Sequence, residues 1–141
     1  MRIFTDPHIA RSAGAHTTHA SSKLLDTLIL TNALKAATTD EKEPVICVGD
    51  LFDKSNNKEL GVLQGLQVAA KCDLILAGNH DLANREGTKT SIEIVEEVHK
   101  NLSRAEVSEV LVDYYDDDGV EFTVIPHHSS QDLFDQAIEK A

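Results

Sequence analysis

The sequence has no tryptophan, two cysteines, three prolines and an aromatic content of 4% over 141 residues. Two cysteines outside any CxxC pair argue against a redox or metal role, and Cys47 and Cys72, in or beside apolar segments, read as buried structural thiols. No stretch approaches the roughly 18 consecutive apolar residues that argue for a membrane span, so no membrane contact is expected. The first residues read as a strand and not as a signal peptide, which makes the cytoplasm the expected compartment. Positive charge is also scarce, with 13 Lys and Arg against 24 Asp and Glu and a net charge of −11. That excludes a generic nucleic-acid-coating surface, whose affinity for phosphates comes from Lys and Arg. It does not exclude a nuclease, because carboxylates gathered to receive divalent cations are themselves a source of negative charge. The apolar fraction of 41% and charged fraction of 26% are those of a globular protein, and the length predicts one domain over residues 1–141.

Hydrophobic periodicity predicts an α/β fold. Arg2 to Thr5, Val45 to Val48 and Asp73 to Ala77 read as strands, the second apolar throughout, as in a parallel sheet covered on both faces. Between them, helices are expected at 22–37, capped by Ser22 with Leu25, Leu28, Ile29, Ala33 and Ala36 inward, and at 59–70, with Val62, Leu63, Leu66, Ala69 and Ala70 inward. Gly61 and Gly65 weaken the second helix and imply close approach to a neighbour. His16 and His19 read as loop residues. Thr90 and Glu93 form a capping box for a helix at 91–102, with His99 packed on its apolar face. Alternation then predicts strands at 109–115 and 120–125 around the hairpin turn Asp116-Asp117-Asp118-Gly119, followed by a last helix at about 130–140.

Each of the first three strands runs into polar residues that carry chemistry: Asp6-Pro7-His8, Gly49-Asp50-Leu51-Phe52-Asp53 and Gly78-Asn79-His80-Asp81. In a parallel sheet the carboxyl ends of the strands share one edge, so these three loops are expected to converge. Asp6 and His8 offer a hard oxygen and a borderline nitrogen to a divalent metal, Asp50 has two oxygens able to bridge two metals, and Asn79 adds an amide oxygen. Two metals about 3.5–4 Å apart clamp a phosphate and lower the pKa of a bridging water until it is a hydroxide nucleophile near neutral pH. His80 then serves as general acid, with Asp81 orienting its imidazole. Arg11, Asp53, His127 and His128 are further candidates at the edge of the site.

These three motifs, in this order and spacing, resemble the first signatures of the calcineurin-like metallophosphoesterase superfamily, and Gly49-Asp50-Leu51-Phe52-Asp53 is most similar to SbcD-type DNA repair exonuclease subunits, including phage relatives. The resemblance extends to about residue 135. It implies an αββα sandwich and a two-metal site, with manganese first and iron, zinc or magnesium as alternatives. By the same resemblance Asp6 and His8 hold the first metal, Asp50 bridges, Asn79 holds the second and His80 is the acid. The family completes its site with a later lone His and a Gly-His-x-His motif; neither follows here, and Ile125-Pro126-His127 fits the segment before them. The chain is therefore expected to be a shortened or N-terminal portion of the family domain, completed by another copy or by a separate C-terminal half, with His127 and His128 as site-edge residues and, as alternatives, one of them a substitute ligand or both plain loop histidines.

The function expected on these grounds is metal-dependent phosphodiester hydrolysis by a DNA nuclease or nuclease subunit, with nucleic acid as substrate and an SbcC-like ATPase as partner, in the host cytoplasm if phage-encoded. The alternatives are a noncatalytic binding or regulatory module that retains a partial metal site, and a phosphomonoesterase.

Overall fold

A segment such as Val45 to Val48, apolar at every position, has no face to offer to water and must be covered on both sides. The computed structural model, which describes residues 1–11, 19–39, 43–82, 89–102, 106–108, 112–115, 119, 121–125 and 131–140, places it in the interior of a parallel sheet. The elements in chain order are β1 (Arg2–Phe4), α1 (His19–Ala37), β2 (Val45–Val48), α2 (Glu59–Ala69), β3 (Leu74–Leu76), α3 (Asn79–Leu82), α4 (Ser91–Leu102), β4 (Glu106–Ser108), β5 (Val112–Tyr115), β6 (Glu121–Val124) and α5 (Gln131–Lys140). Strands β1 to β4 pair in the order 1-2-3-4, all parallel, with Ile3 opposite Ile46, Cys47 opposite Ile75 and Ile75 opposite Val107. Strands β5 and β6 form a separate antiparallel pair with Tyr114 opposite Phe122. The fold is mixed α/β.

Strand order that follows chain order, with right-handed crossovers, sends every connecting helix to the same face of the sheet. The packing agrees: α1 lies against α2, and α2 against α4. Val45, Cys47, Ile75 and Ala77 face this helix layer and join Ala33, Ala37, Val68, Ala69, Ile92 and Val95 in the larger core cluster. Ile46, Leu74 and Leu76 point to the opposite face, where they form a second buried cluster with Val48 against it. Both thiols are buried and free. Among the described residues no helix is long and apolar enough to cross a membrane.

Several expectations about the helices are met and others are corrected. Thr90 and Glu93 close a reciprocal capping box, with the Thr90 N–H donating to Glu93 Oε2 at 2.6 Å and the Glu93 N–H to Thr90 Oγ1 at 3.3 Å. His99 is buried with Ile92 and Val95 on the inner face of α4. Helix α1 begins at His19 and not at Ser22, so Ser22 is an interior residue and no cap. Leu28 and Leu63, expected inside, are 50% and 57% exposed, and Ala70 is exposed as well. The reason lies in α2: Gly61, Gly65, Val68 and Ala69 share its buried face, which turns Leu63 about 200° away at 100° per residue. The glycines face the core because a side chain at Gly65 would overlap the Phe52 ring, and a Cβ at Gly61 would stand 2.6 Å from Ala10 Cβ. Of the strand expected over 109–115, the described residues form β5, Val112–Tyr115; it is preceded by β4, whose three residues Glu106-Val107-Ser108 are too short a run to mark a strand and were not foreseen. Gly119 has φ +75°, as the hairpin requires, while Asp116 to Asp118 lie outside the described residues.

Candidate metal centre

The first two strand ends continue as a zipper beyond the sheet. The Asp6 N–H donates to the Gly49 carbonyl at 3.3 Å, the His8 N–H to Asp50 at 3.1 Å, the Ile9 N–H to Leu51 at 2.8 Å and the Asp53 N–H back to Ile9 at 3.0 Å. A parallel bridge between Ile9 and Phe52 closes the unit, and both side chains are buried. Thr5 Oγ1 donates to the Val48 carbonyl at 2.6 Å and abuts the Asp6 carboxylate. This geometry demands unusual backbone. Asp6, His8, Ala10 and Asp50 have φ of 51°, 46°, 62° and 48°, each in the left-handed region. That region costs an L-residue roughly 1–2 kcal/mol, and such strain gathers at functional sites.

The third loop is fastened to the second by a carboxylate. Asp81 is fully buried and accepts the N–H of Leu51 at 3.1 Å, of Phe52 at 2.9 Å and of Gly78 at 2.9 Å. Burial pushes its pKa up to about 6, against the lowering pull of those three amides. Asp81 therefore does not serve as the expected orienting partner of His80; its oxygens are committed to the backbone of two loops. The group that orients His80 is the Asp53 carbonyl, 2.7 Å from Nδ1. A carbonyl only accepts, so Nδ1 carries a proton in this bond, and Nε2 is the nitrogen left for the site. That hydrogen bond is the main cause that holds the His80 pKa above its ordinary value; burial opposes it, and the nearby Asp50, Asp53 and Asp81 carboxylates add to the rise.

Asp50 stands at the centre. Its Oδ1 accepts the His80 N–H at 2.9 Å, and a side chain at Gly78 would overlap that oxygen. One ligand atom each from His8, Asp50 and His80 lies within 4.8 Å of the others, a donor set able to hold a divalent ion. The His8 and His80 rings meet edge to face with centroids 4.9 Å apart. His8 has Asp53 Oδ1 3.6 Å from Nδ1 and Asp6 Oδ1 3.7 Å from Nε2, both too long for direct hydrogen bonds. Its Nδ1 is buried and unbonded, as expected of a nitrogen kept for a ligand. On the other side of Asp50, a cavity of about 220 Å³ is lined by Asp6, Gly49, Asp50, Gly78, Asn79 and the apolar Val48, Leu76, Ala77 and Ile125.

The three motifs are thus brought together, with Asp50 shared between a His8/His80 side and an Asp6/Asn79 side. His80, expected as an acid, stands among ligand atoms, while Asp53 acts through its carbonyl as well as its carboxylate. Arg11 lies apart, in a neighbouring groove. His127 and His128 lie outside the described residues. Two contributions were not foreseen from the sequence: the Thr5 hydroxyl and the steric requirement at Gly78. Neither leaves a mark on local pattern, since each depends on a contact with another loop. A scan against protein-family models and a search of curated proteins found no match for this chain.

Proposed function

We propose that the chain hydrolyses phosphodiesters with the help of divalent metal, as a nuclease or nuclease subunit of the calcineurin-like metallophosphoesterase type. In that reading the fold is the αββα sandwich of the family, with the helix layer on one face of the sheet and a second buried face in keeping with it. The observation that carries the proposal is the convergence of His8, Asp50 and His80 within 4.8 Å on three separate strand ends. Carboxylate, imidazole and amide ligands suit manganese, iron and zinc alike, and the orphaned Nδ1 of His8 fits such a role.

Asp6, His8 and Asp50 would hold one ion, and Asp50 and Asn79 a second, with Asp50 common to both and His80 beside them as the acid. Bound there, the ions supply Lewis-acid activation of water and charge stabilisation at a phosphoryl group. The chain's own residues do the rest. Asp53 fixes the tautomer and direction of His80, so that its Nε2 faces the reacting group. With Nδ1 held by the Asp53 carbonyl, a protonated ring would carry its second proton at Nε2, for a leaving oxygen. Asp81 keeps the second and third loops in register while this occurs. The partner in this reading is an SbcC-like ATPase, and the substrate is nucleic acid.

A second reading has one observation in its favour: His80 lies among the ligand atoms, and a histidine engaged as a ligand is no longer a proton donor. The chain would then be a metal-binding module without activity. Hydrolysis of bis-p-nitrophenyl phosphate and of single- and double-stranded DNA, with and without manganese, separates the two. The proposal expects manganese-dependent cleavage of the diester and of DNA, lost in His80→Ala and Asp50→Ala. Metal binding without turnover under any divalent ion supports the module, and cleavage of a monoester alone supports a phosphomonoesterase.

A further inference from the structure

Beside the metal centre, a groove of about 550 Å³ runs between the first turns of α1 and the start of α2. It has the volume of a small-ligand pocket, which is typically about 300–1,000 Å³. Among the described residues its walls carry Arg11, Lys23, Lys54 and Lys58 against a single carboxylate, Asp26. In a chain with 13 cationic side chains and a net charge of −11, that is a pronounced local reversal of sign. Such a concentration raises the local concentration of anions even on an acidic protein.

The acceptors in the same groove say more about the ligand. Asp26 Oδ1 is buried and has no hydrogen-bond partner, and the same holds for Asn57 Oδ1. The orientation of the Asn57 amide is fixed by its neighbours: Nδ2 donates to the Lys54 carbonyl at 2.7 Å and to Ser91 Oγ at 3.1 Å. Turning the amide over would set oxygen against a carbonyl oxygen, so the free acceptor is Oδ1. A buried acceptor left unbonded costs about 1–3 kcal/mol. Two of them in one groove call for a ligand that brings donors. An inorganic oxyanion satisfies the cations and offers the acceptors little or nothing. A nucleoside phosphate satisfies both, with phosphate oxygens for the cations and sugar hydroxyls or base amines for Asp26 and Asn57.

We infer that this groove is a binding site for a nucleoside phosphate, separate from the metal centre. Its position depends on the backbone already described: Arg11 is three residues after His8, and Lys54 directly follows Asp53. Only if the phosphodiesterase reading holds is the bound unit a nucleotide next to the one cleaved; the groove itself needs no metal.

The test is calorimetric binding to the full chain in excess EDTA, using AMP, inorganic phosphate and a single-stranded DNA hexamer. AMP is expected to bind at least tenfold more tightly than phosphate, and the double variant Lys23→Glu/Lys58→Glu to weaken AMP by tenfold or more. Both lysines are exposed, so the melting temperature should not move. Asp26→Ala should remove most of the preference for AMP over phosphate. Tighter binding of the hexamer than of AMP assigns the groove to a strand, and equal or weaker binding assigns it to a free nucleotide. No AMP binding, equal affinity for phosphate, or full affinity in the double variant overturns the inference. Binding of AMP by a chain that hydrolyses nothing removes the phosphodiesterase reading and leaves the groove standing, and hydrolysis without AMP binding does the opposite.

Discussion

Asp50 Oδ1 occupies the space into which any side chain at position 78 would project, so the central carboxylate of the candidate metal centre and the glycine of the third loop fit only each other. The same oxygen takes the N–H of His80. Backbone of one loop and side chain of another share a single small volume.

Gly78→Ala should therefore displace the Asp50 carboxylate. Overpacking of this kind costs about 1–3 kcal/mol, to be read from urea unfolding. Manganese affinity by calorimetry should fall at least tenfold. Unchanged affinity would show that Asp50 is not a ligand.

Asp81→Asn tests whether that residue serves structure or chemistry. An amide keeps one acceptor oxygen but turns an NH2 toward the donors now held by the carboxylate. The loss of stability should be about 1–3 kcal/mol for each donor left unsatisfied. A variant with unchanged melting and slower turnover would instead restore Asp81 as the orienting partner of His80.

Gly65→Ala sets two effects against each other. Helix propensity favours Ala by roughly 1 kcal/mol, but the new methyl would overlap the buried ring of Phe52. Overpacking at about 1–3 kcal/mol should win, giving net destabilisation in thermal or urea melts. A stabilised variant would mean that the Phe52 ring gives way freely.

Stability should depend on pH through His99. The ring is 4% exposed, and neither nitrogen has a hydrogen-bond partner. Burial lowers its pKa, so the unfolded chain takes up a proton near pH 6.5 and the folded chain only at lower pH. Its contribution is intact above the unfolded value and is lost as pH falls from there through the folded pKa. In His99→Leu that part of the acid loss should vanish from unfolding curves taken between pH 7 and 5.

Burial pushes the thiol of Cys72 up to about 12 and that of Cys47 well above its ordinary value. The reactive species is the thiolate. Ellman's reagent should label neither in the native protein, and both at the rate of unfolding once urea is added. Rapid labelling of one thiol in buffer would place it outside the core.

Much of this arrangement was legible from the sequence. Apolar runs ending in Asp6, Asp50 and Asn79 marked three strands and their loops, and the Thr90/Glu93 box marked the start of α4. The partners of Asp81 and His80 were not legible, because Asp81 bonds to backbone amides 29 and 30 residues away, and main-chain groups carry no residue signature. The inward face of α2 was misread for a related reason. Periodicity scores Leu63 above Gly65, yet the space left by Phe52 admits only the glycine. Lys23, Lys54 and Lys58 sit in separate segments, and only folding brings them into one groove.

The strand order has a consequence for how a ligand enters. A doubly wound sheet opens a crevice where its strand order reverses, and the order β1-β2-β3-β4 does not reverse. Among the described residues the mouth at Asp50 is shaped by the turns, through the absence of side chains at Gly49 and Gly78 and the anchoring of both loops by Asp81. Its rim is uneven: Val48, Leu76, Ala77 and Ile125 make it greasy, and Asp6, Asp50 and Asn79 make it polar. A visiting molecule thus meets an oriented doorway, one that can tell the charged end of a ligand from its apolar end before any reaction begins.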